Sequence, residues 1–251
     1  MRNLFVKVAY VIFLVFSLLS LFIFLYFLKV SKRIREINLG DNHIWEEGGH
    51  YIVTNHPSWI DQFLIVALRI PHWGTTLFPY VVVAEDSVNK IFFLKILKKL
   101  TFVLSINRKG QHSRLLSNIR KIKTLLADDY NIIIAGPAGR DFRGSEDEII
   151  FSPKRRKLFR MFTKLPGFIA TTPGVKIVVC CIEGTDKLYK EFRENGEIKS
   201  KFSYYNFIVK FLLLGKIKII ITYSEGMILS NLNKDQANEV IQKTALALLD
   251  R

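Results

Sequence analysis

Residues 51–61 have the sequence YIVTNHPSWID, and the rest of the chain can be interpreted around this stretch. The apolar residues at its start predict a buried β-strand. Pro57 biases the preceding residue, His56, toward an extended backbone, and proline itself is tolerated in the first turn of a helix. The stretch therefore predicts a strand that ends just before His56 and a helix that begins just after it.

His56 and Asp61 form a candidate catalytic pair within this stretch. The predicted strand places the imidazole at a carboxyl end, where open α/β sheets usually hold their functional groups. Asp61 falls on the first turn of the helix, close enough to accept a hydrogen bond from the imidazole. A neutral histidine oriented by a carboxylate can act as a general base toward a hydroxyl. On spacing alone, a histidine that caps a helix beside an acidic neighbour is the alternative.

Residues 8–28 are twenty-one uncharged residues rich in Phe, Leu, Ile and Val. As a helix they would be about 32 Å long, enough to cross a hydrocarbon core of about 30 Å. A cleavable signal peptide has a shorter apolar region that ends in small residues, whereas this one ends in Tyr, Phe and Leu. We therefore predict that residues 1–36 are a membrane anchor with its basic flank and that residues 37–251 form the main domain. A helix that enters one leaflet is the alternative.

The charge of the chain predicts an acidic partner or surface. Thirty-seven Lys and Arg residues against twenty-two Asp and Glu residues give a net charge of +15. Because an anchor is predicted, anionic lipid headgroups are favoured over nucleic acid as that partner. The densest basic cluster covers residues 154–157, for which a solvated face is the alternative. More basic residues follow the apolar stretch than precede it, which places the main domain on the cytoplasmic side.

Apolar runs rich in β-branched residues alternate with helical patterns along the main domain. Strands are predicted at 50–54, 79–84, 102–106, 131–135, 175–182 and 216–222. Helices are predicted at 58–69, 87–100, 111–127, 152–163 and 234–249, the last with Asn233 and Gln236 spaced as a capping box. This alternation predicts a single α/β domain with a mixed or mainly parallel central sheet flanked by helices, preceded by the N-terminal membrane-associated helix.

Two further strand ends carry candidate binding residues. Arg108 follows the predicted strand at 102–106, and an arginine there can bind a phosphate through two hydrogen bonds. The turn after the strand at 131–135 contains Gly139, which would let a ligand approach backbone N–H groups, with Arg140 and Arg143 as nearby positive charges. An exposed charge and a plain loop are the alternatives for these two segments.

The cysteines and remaining histidines predict no metal site. Cys180 and Cys181 are adjacent in an apolar run, so they indicate neither a disulfide framework nor metal ligation. The other histidines have no ligand spacing; they are His43, His50, His72 and His112.

Four segments in this order resemble the glycerophospholipid acyltransferases, the family typified by 1-acylglycerol-3-phosphate acyltransferase. They are NHPSWID at 55–61, INR at 106–108, GPAGR at 136–140 and PGVKIVVCCIEGTDKL at 173–188. The resemblance covers roughly residues 51–188 together with the membrane-associated N-terminus. It implies that His56 is the catalytic base, that Asp61 orients it, and that Arg108 contacts the phosphate of the acceptor.

The third of these segments departs from the family pattern, which is usually Phe-Pro-Glu-Gly-Thr-Arg. Ala138 stands at the glutamate position, and the arginine comes one place early as Arg140. The resemblance therefore determines the reaction type more firmly than the acceptor.

The resemblance implies a membrane-bound O-acyltransferase of phospholipid biosynthesis. The acyl donor would be the thioester of acyl-CoA or acyl carrier protein, a co-substrate, with no further cofactor. The acceptor would be a lysophospholipid, first of all 1-acylglycerol-3-phosphate, held by Arg108, Gly139, Arg140 and Arg143. Two alternatives stay open: another acceptor (a different lysophospholipid, an aminolipid or a glycolipid), or a non-catalytic membrane-anchored lipid-binding protein.

Overall fold

The computed structural model describes residues 32–40, 45–57, 61–72, 74–90, 98, 103–106, 112–137, 149–152, 157–185, 191–194, 197–200 and 218–251. The predicted anchor and the predicted binding residues Arg108, Gly139, Arg140 and Arg143 lie outside this part of the chain. Within it, no helix is both long enough and apolar enough to cross a membrane.

The described strands and helices alternate along much of the chain. The strands are β1 (Ile34–Asn38), β2 (His50–Thr54), β3 (Tyr80–Ala84), β4 (Val103–Ile106), β5 (Ile132–Ala135), β6 (Ile149–Ser152), β7 (Lys157–Arg160), β8 (Lys176–Glu183), β9 (Glu191–Glu194), β10 (Glu197–Ser200) and β11 (Ile219–Tyr223). The helices are α1 (Asp61–Leu68), α2 (Glu85–Lys90), α3 (His112–Ala127), α4 (Lys164–Ala170) and α5 (Lys234–Leu249), and a 3-10 turn covers Ile70–His72.

Seven of the described strands form one sheet in the order β1-β11-β8-β2-β5-β3-β4. The run from β8 to β4 is parallel throughout, β11 is antiparallel to β8, and β1 is parallel to β11. The predicted mixed or mainly parallel sheet is therefore confirmed. β6 with β7, and β9 with β10, form two separate antiparallel pairs.

Both faces of the sheet are covered, which explains why its central strands are almost entirely apolar. Successive residues of a strand point to opposite faces, so Tyr51 and Val53 belong to one core cluster and Ile52 to the other. The first cluster contains buried residues of α3, α4 and α5, whereas the second contains those of α1. The sequence 176–183, KIVVCCIE, is buried along nearly its whole length for the same reason.

The helix predicted at 152–163 is wrong. Residues 149–152 and 157–160 instead pair as antiparallel strands, and the helix α4 begins only at Lys164, after the N-cap residue Thr163. Ile149, Ile150 and Phe151 have high strand propensity, and the segment KLFR at 157–160 places two apolar residues between two charged ones. Strand β1, the β9–β10 pair and helix α4 were not predicted.

The other predictions agree with the structure wherever the residues are described. The six predicted strands are present with boundaries that shift by at most a few residues, and α2 begins at Glu85, slightly before its predicted start. Helix α5 has the predicted bounds and capping box. The Asn233 side chain accepts hydrogen bonds from the backbone of Asp235 and Gln236, while Gln236 accepts one from the Asn233 backbone.

Arg69 follows α1 directly and joins the end of this helix to the sheet. Its guanidinium pairs with the carboxylate of Glu36 on β1 and lies over the Trp45 ring, 4.0 Å from the ring centroid. Glu36 also accepts a hydrogen bond of 3.1 Å from the Tyr223 hydroxyl. The side chains of Arg69 and Glu36 are only 9% and 11% exposed. This buried pair therefore fixes the far end of the helix that begins at Asp61.

We expect Arg69→Met to lower the free energy of unfolding by about 3–5 kcal/mol, because it leaves the Glu36 carboxylate buried without this cation. Chemical denaturation of the purified protein measures the change. The double variant Glu36→Gln/Arg69→Met should recover part of the loss, since it removes both charges. Equal stability of the single and double variants would contradict a buried ion pair at this place.

Candidate active site

The predicted site lies at the edge of the sheet where three parallel strands end. Thr54, the last residue of β2, is in register with Ala135 at the end of β5 and with Cys180 near the end of β8. The residues that follow these strands therefore come together. They include His56 after β2, which is the position that the sequence predicted.

His56, just after β2, and Asp61, the first residue of α1, are in contact. The imidazole Nδ1 lies 3.3 Å from Asp61 Oδ2, which confirms the predicted contact. The His56 side chain is 20% exposed, whereas that of Asp61 is fully buried. The histidine can therefore meet a substrate from the solvent side, while its carboxylate partner stays out of water.

Thr185 holds the other oxygen of the Asp61 carboxylate. Its hydroxyl donates a hydrogen bond of 2.6 Å to Asp61 Oδ1, and both residues are fully buried. The turn that brings Thr185 to this place depends on Gly184, which has a φ of +93°. A Cβ on Gly184 would clash with the backbone carbonyl of Lys218, so the turn needs glycine on two counts.

Asn55 ties the end of β2 to β8. Its side-chain amide donates to the Ile182 carbonyl at 3.0 Å, and its side-chain carbonyl accepts from the Ile182 N–H at 2.8 Å. Its backbone N–H donates to the Cys180 carbonyl at 3.3 Å. The residue is buried, and it fixes the backbone immediately before His56 to the strand that leads to Thr185.

Gly136 occupies the equivalent place after β5. Its N–H donates to the Thr54 carbonyl at 2.8 Å, and its carbonyl accepts from the backbone and hydroxyl of Thr163. A Cβ at this position would clash with the Phe162 ring. The start of the glycine-rich turn is thus held against the end of β2, while residues 138–140 lie outside the described residues.

Both cysteines are buried in β8, close to this edge. Burial, with further contributions from the charges of neighbouring groups that include Asp61, raises the pKa of the Cys180 thiol well above its usual range. The Cys181 thiol donates to the Ala245 carbonyl at 3.3 Å. A protonated, buried thiol is a poor nucleophile, so Cys180 is unsuited to forming an acyl intermediate.

The structure therefore brings together two of the predicted site residues, His56 and Asp61, and adds two that the sequence analysis assigned no role. Asn55 was quoted within the first segment, and Thr185 within the fourth. The sequence places Thr185 after the predicted strand at 175–182, but only the structure shows that this strand is the parallel neighbour of β2, which brings Thr185 close to His56.

A histidine in contact with a buried carboxylate is chemically able to accept and return a proton. A family model described as Acyltransferase matches residues 36–183, more than half of the 251 residues. The chain belongs to the acyltransferase family, as the resemblance implied.

A solved structure with the same fold is the crystal structure of the 1-acyl-sn-glycerophosphate (LPA) acyltransferase PlsC from Thermotoga maritima. The TM-score is 0.52 at 16% sequence identity, and the match covers 93% of this chain and 80% of that one. At this identity the likeness concerns the fold. A search among curated proteins gave no match.

We expect Asn55→Ala to lower both stability and acyl transfer, because it leaves the buried N–H and carbonyl of Ile182 without partners and loosens the backbone next to His56. Each unpaired group costs about 1–3 kcal/mol. Chemical denaturation and acyl transfer per folded molecule measure the two effects.

Asn131→Ala is the matched control for this variant. Asn131 is also buried and also bonds two backbone groups, accepting from the His50 N–H at 2.9 Å and donating to the Leu77 carbonyl at 3.2 Å. It directly precedes β5, at the amino end of the strand and away from His56. We therefore expect a similar loss of stability, while acyl transfer per folded molecule is retained. Equal losses of transfer in the two variants would contradict a local role for Asn55.

The two thiols should resist alkylation by iodoacetamide in the native protein and react once the protein is denatured. The reason is their burial together with the raised pKa of Cys180. Mass spectrometry of protein treated before and after denaturation measures the labelling. Rapid native labelling of Cys180 accompanied by loss of activity would contradict the assignment of this thiol as unreactive.

Proposed function

We propose that this protein transfers a fatty acyl group from a thioester to the hydroxyl of a lysophospholipid, with His56 as general base and Asp61 as its orienting group. The observation that carries the proposal is the contact between His56 Nδ1 and Asp61 Oδ2, formed by a partly exposed imidazole and a buried carboxylate. Membership of the acyltransferase family supports the reaction type.

In the proposed mechanism Asp61 fixes the imidazole tautomer that carries its proton on Nδ1, so that Nε2 accepts the proton of the acceptor hydroxyl. The hydroxyl oxygen attacks the thioester carbonyl, and the resulting tetrahedral intermediate expels the thiolate. The imidazolium, stabilised by Asp61, then returns the proton to the leaving sulfur. Direct transfer of this kind needs no covalent enzyme intermediate, which agrees with the unreactive environment of Cys180.

We propose 1-acylglycerol-3-phosphate as the first acceptor to test. The solved structure of the same fold is, by its title, a 1-acyl-sn-glycerophosphate (LPA) acyltransferase. Arg108, Arg140 and Arg143 would hold the acceptor phosphate, and the backbone near Gly139 would receive the developing oxyanion. Ala138 at the usual glutamate position specifically favours a second candidate within the same reaction type, an acceptor other than 1-acylglycerol-3-phosphate.

We further propose that the enzyme acts at the cytoplasmic face of a membrane, anchored through residues 1–36 and attracted by anionic headgroups. The net charge of +15 supports this surface, and the apolar stretch at 8–28 supports the anchor. Acyl-CoA and acyl carrier protein are the two donors to compare.

The decisive experiment is a panel of lysolipids assayed with labelled acyl donor on membranes that contain the wild type or the His56→Ala variant. We expect transfer by the wild type and a loss of about 10²–10⁴-fold in the variant, because the general base is removed. His72→Ala, a histidine of the 3-10 turn after α1, is the control and should keep full activity.

The outcome also separates the candidate functions. The largest kcat/KM with 1-acylglycerol-3-phosphate would support the first acceptor, whereas preference for another lysolipid would support the second candidate. Near-normal transfer by His56→Ala would overturn the mechanism. Binding of lysolipids without turnover by the wild type would instead indicate a lipid-binding protein.

A further inference from the structure

We propose that Thr185 is a positioning residue of the reaction: its hydroxyl holds the Asp61 carboxylate in the orientation that presents Oδ2 to His56. The inference rests on the proposed function, in which the His56 imidazole is the base and Asp61 orients it. It adds Thr185 to this pair as the residue that orients Asp61. The geometry that points to it is that the two oxygens of the carboxylate contact different side chains. Oδ1 accepts a hydrogen bond from Thr185 at 2.6 Å, and Oδ2 lies 3.3 Å from the imidazole.

The carboxylate needs such a partner because the terminal torsion of an aspartate is broad. Rotation about that torsion would move Oδ2 away from the imidazole and leave the tautomer of His56 undetermined. A hydrogen bond to Oδ1 restricts this rotation, and a buried donor does so without competition from water. Thr185 is fully buried, as is Asp61, so the bond lies in a dry environment.

Thr185 is itself held rigidly. A β-branched side chain has few χ1 rotamers, and the backbone at Gly184, just before it, packs closely against the Lys218 carbonyl. Three residues earlier, on β8, Ile182 is bound through its N–H and carbonyl to the Asn55 side chain. Asn55 precedes His56 in the chain. Hydrogen bonds therefore link Asn55 to β8, and the chain leads from β8 to Thr185. Thr185 in turn binds Asp61, which contacts His56, the residue next to Asn55.

A purely structural role for Thr185 makes a different prediction from a positioning role. If the hydroxyl only satisfied a buried carboxylate, its removal would lower stability while the folded enzyme kept its tautomer and its turnover. If the hydroxyl positions Asp61, its removal changes the orientation of the imidazole. The chemical step then slows while binding of the substrates is unchanged.

Thr185→Val removes the hydroxyl with nearly constant shape, and Thr185→Ser keeps the hydroxyl. We expect Thr185→Val to lower kcat by about 10- to 100-fold with KM for both substrates unchanged, as a small misplacement of a catalytic group does. Thr185→Ser should restore most of the activity. Thr244→Val, a half-buried threonine of α5 whose hydroxyl donates to the Val240 carbonyl at 2.9 Å, is the control for the loss of a hydrogen-bonded hydroxyl and should retain kcat.

A second measurement does not depend on turnover. In protein labelled with ¹⁵N-histidine, the His56 resonances are identified by their loss in His56→Gln. We expect one tautomer, with the proton on Nδ1, in the wild type and Thr185→Ser, and a mixture of tautomers in Thr185→Val. If valine prevents folding, Thr185→Ala compared with Thr185→Ser gives the same test.

Unchanged kcat and an unchanged tautomer in the folded Thr185→Val variant would overturn the proposal, and so would a loss of activity that appears only in KM. The same kcat in Thr185→Ala and Thr185→Ser would overturn it as well. If the wild type transfers no acyl group to any lysolipid, the proposed function fails separately. The tautomer measurement still shows whether the Thr185 hydroxyl orients Asp61 and His56.

Discussion

The burial of the Asp61 carboxylate is the constraint on which the site depends. Burying a carboxylate is costly unless hydrogen-bond donors surround it, and here donors reach it from two directions. The imidazole of His56 comes from the chain segment just before the helix, and the Thr185 hydroxyl comes from the end of β8. Helix α1, strand β2 and strand β8 must therefore keep fixed relative positions for this carboxylate to be satisfied.

The sheet supplies those fixed positions through its topology. β2 lies between β5 and β8 and is parallel to both, so residues distant in sequence meet at one edge. Asn55 and Gly136 extend the hydrogen bonding past the last paired residues of the strands. Arg69 and Glu36 hold the other end of α1 against β1. The site is thus built on strand ends and a helix start, which hold side chains more precisely than a loop can.

Much of this architecture can be predicted from the sequence because the signals are local. Apolar strands followed by polar or glycine-rich turns gave the main strands and the position of His56, and the capping box fixed the start of α5. The helix prediction at 152–163 is wrong because apolar and basic residues alternate there without a clear period, so the pattern fits a helix and a strand pair alike. Pairing with a neighbouring strand, which decides between them, is not a property of one segment.

The site shows the same division between local and non-local signals. His56 and Asp61 are five residues apart, so their contact is local in the sequence. Asn55 and Thr185 act across 127 and 124 residues of sequence, and their partners become visible only when β2 and β8 are known to be neighbours. A threonine after a glycine at a strand end is common in loops, and its residue type alone does not indicate a partner.

Hydrogen bonds between neighbouring elements also explain why buried polar residues are tolerated where the apolar strands β2 and β8 end. Asn55, Asp61 and Thr185 are all buried, and each would destabilise the fold if left unpaired. Their hydrogen bonds are made to one another or to strand backbone, so the groups that orient the imidazole also join β2, α1 and β8. The arrangement that orients the imidazole is therefore the one in which these buried groups are satisfied, and loss of one partner should disturb orientation and stability together.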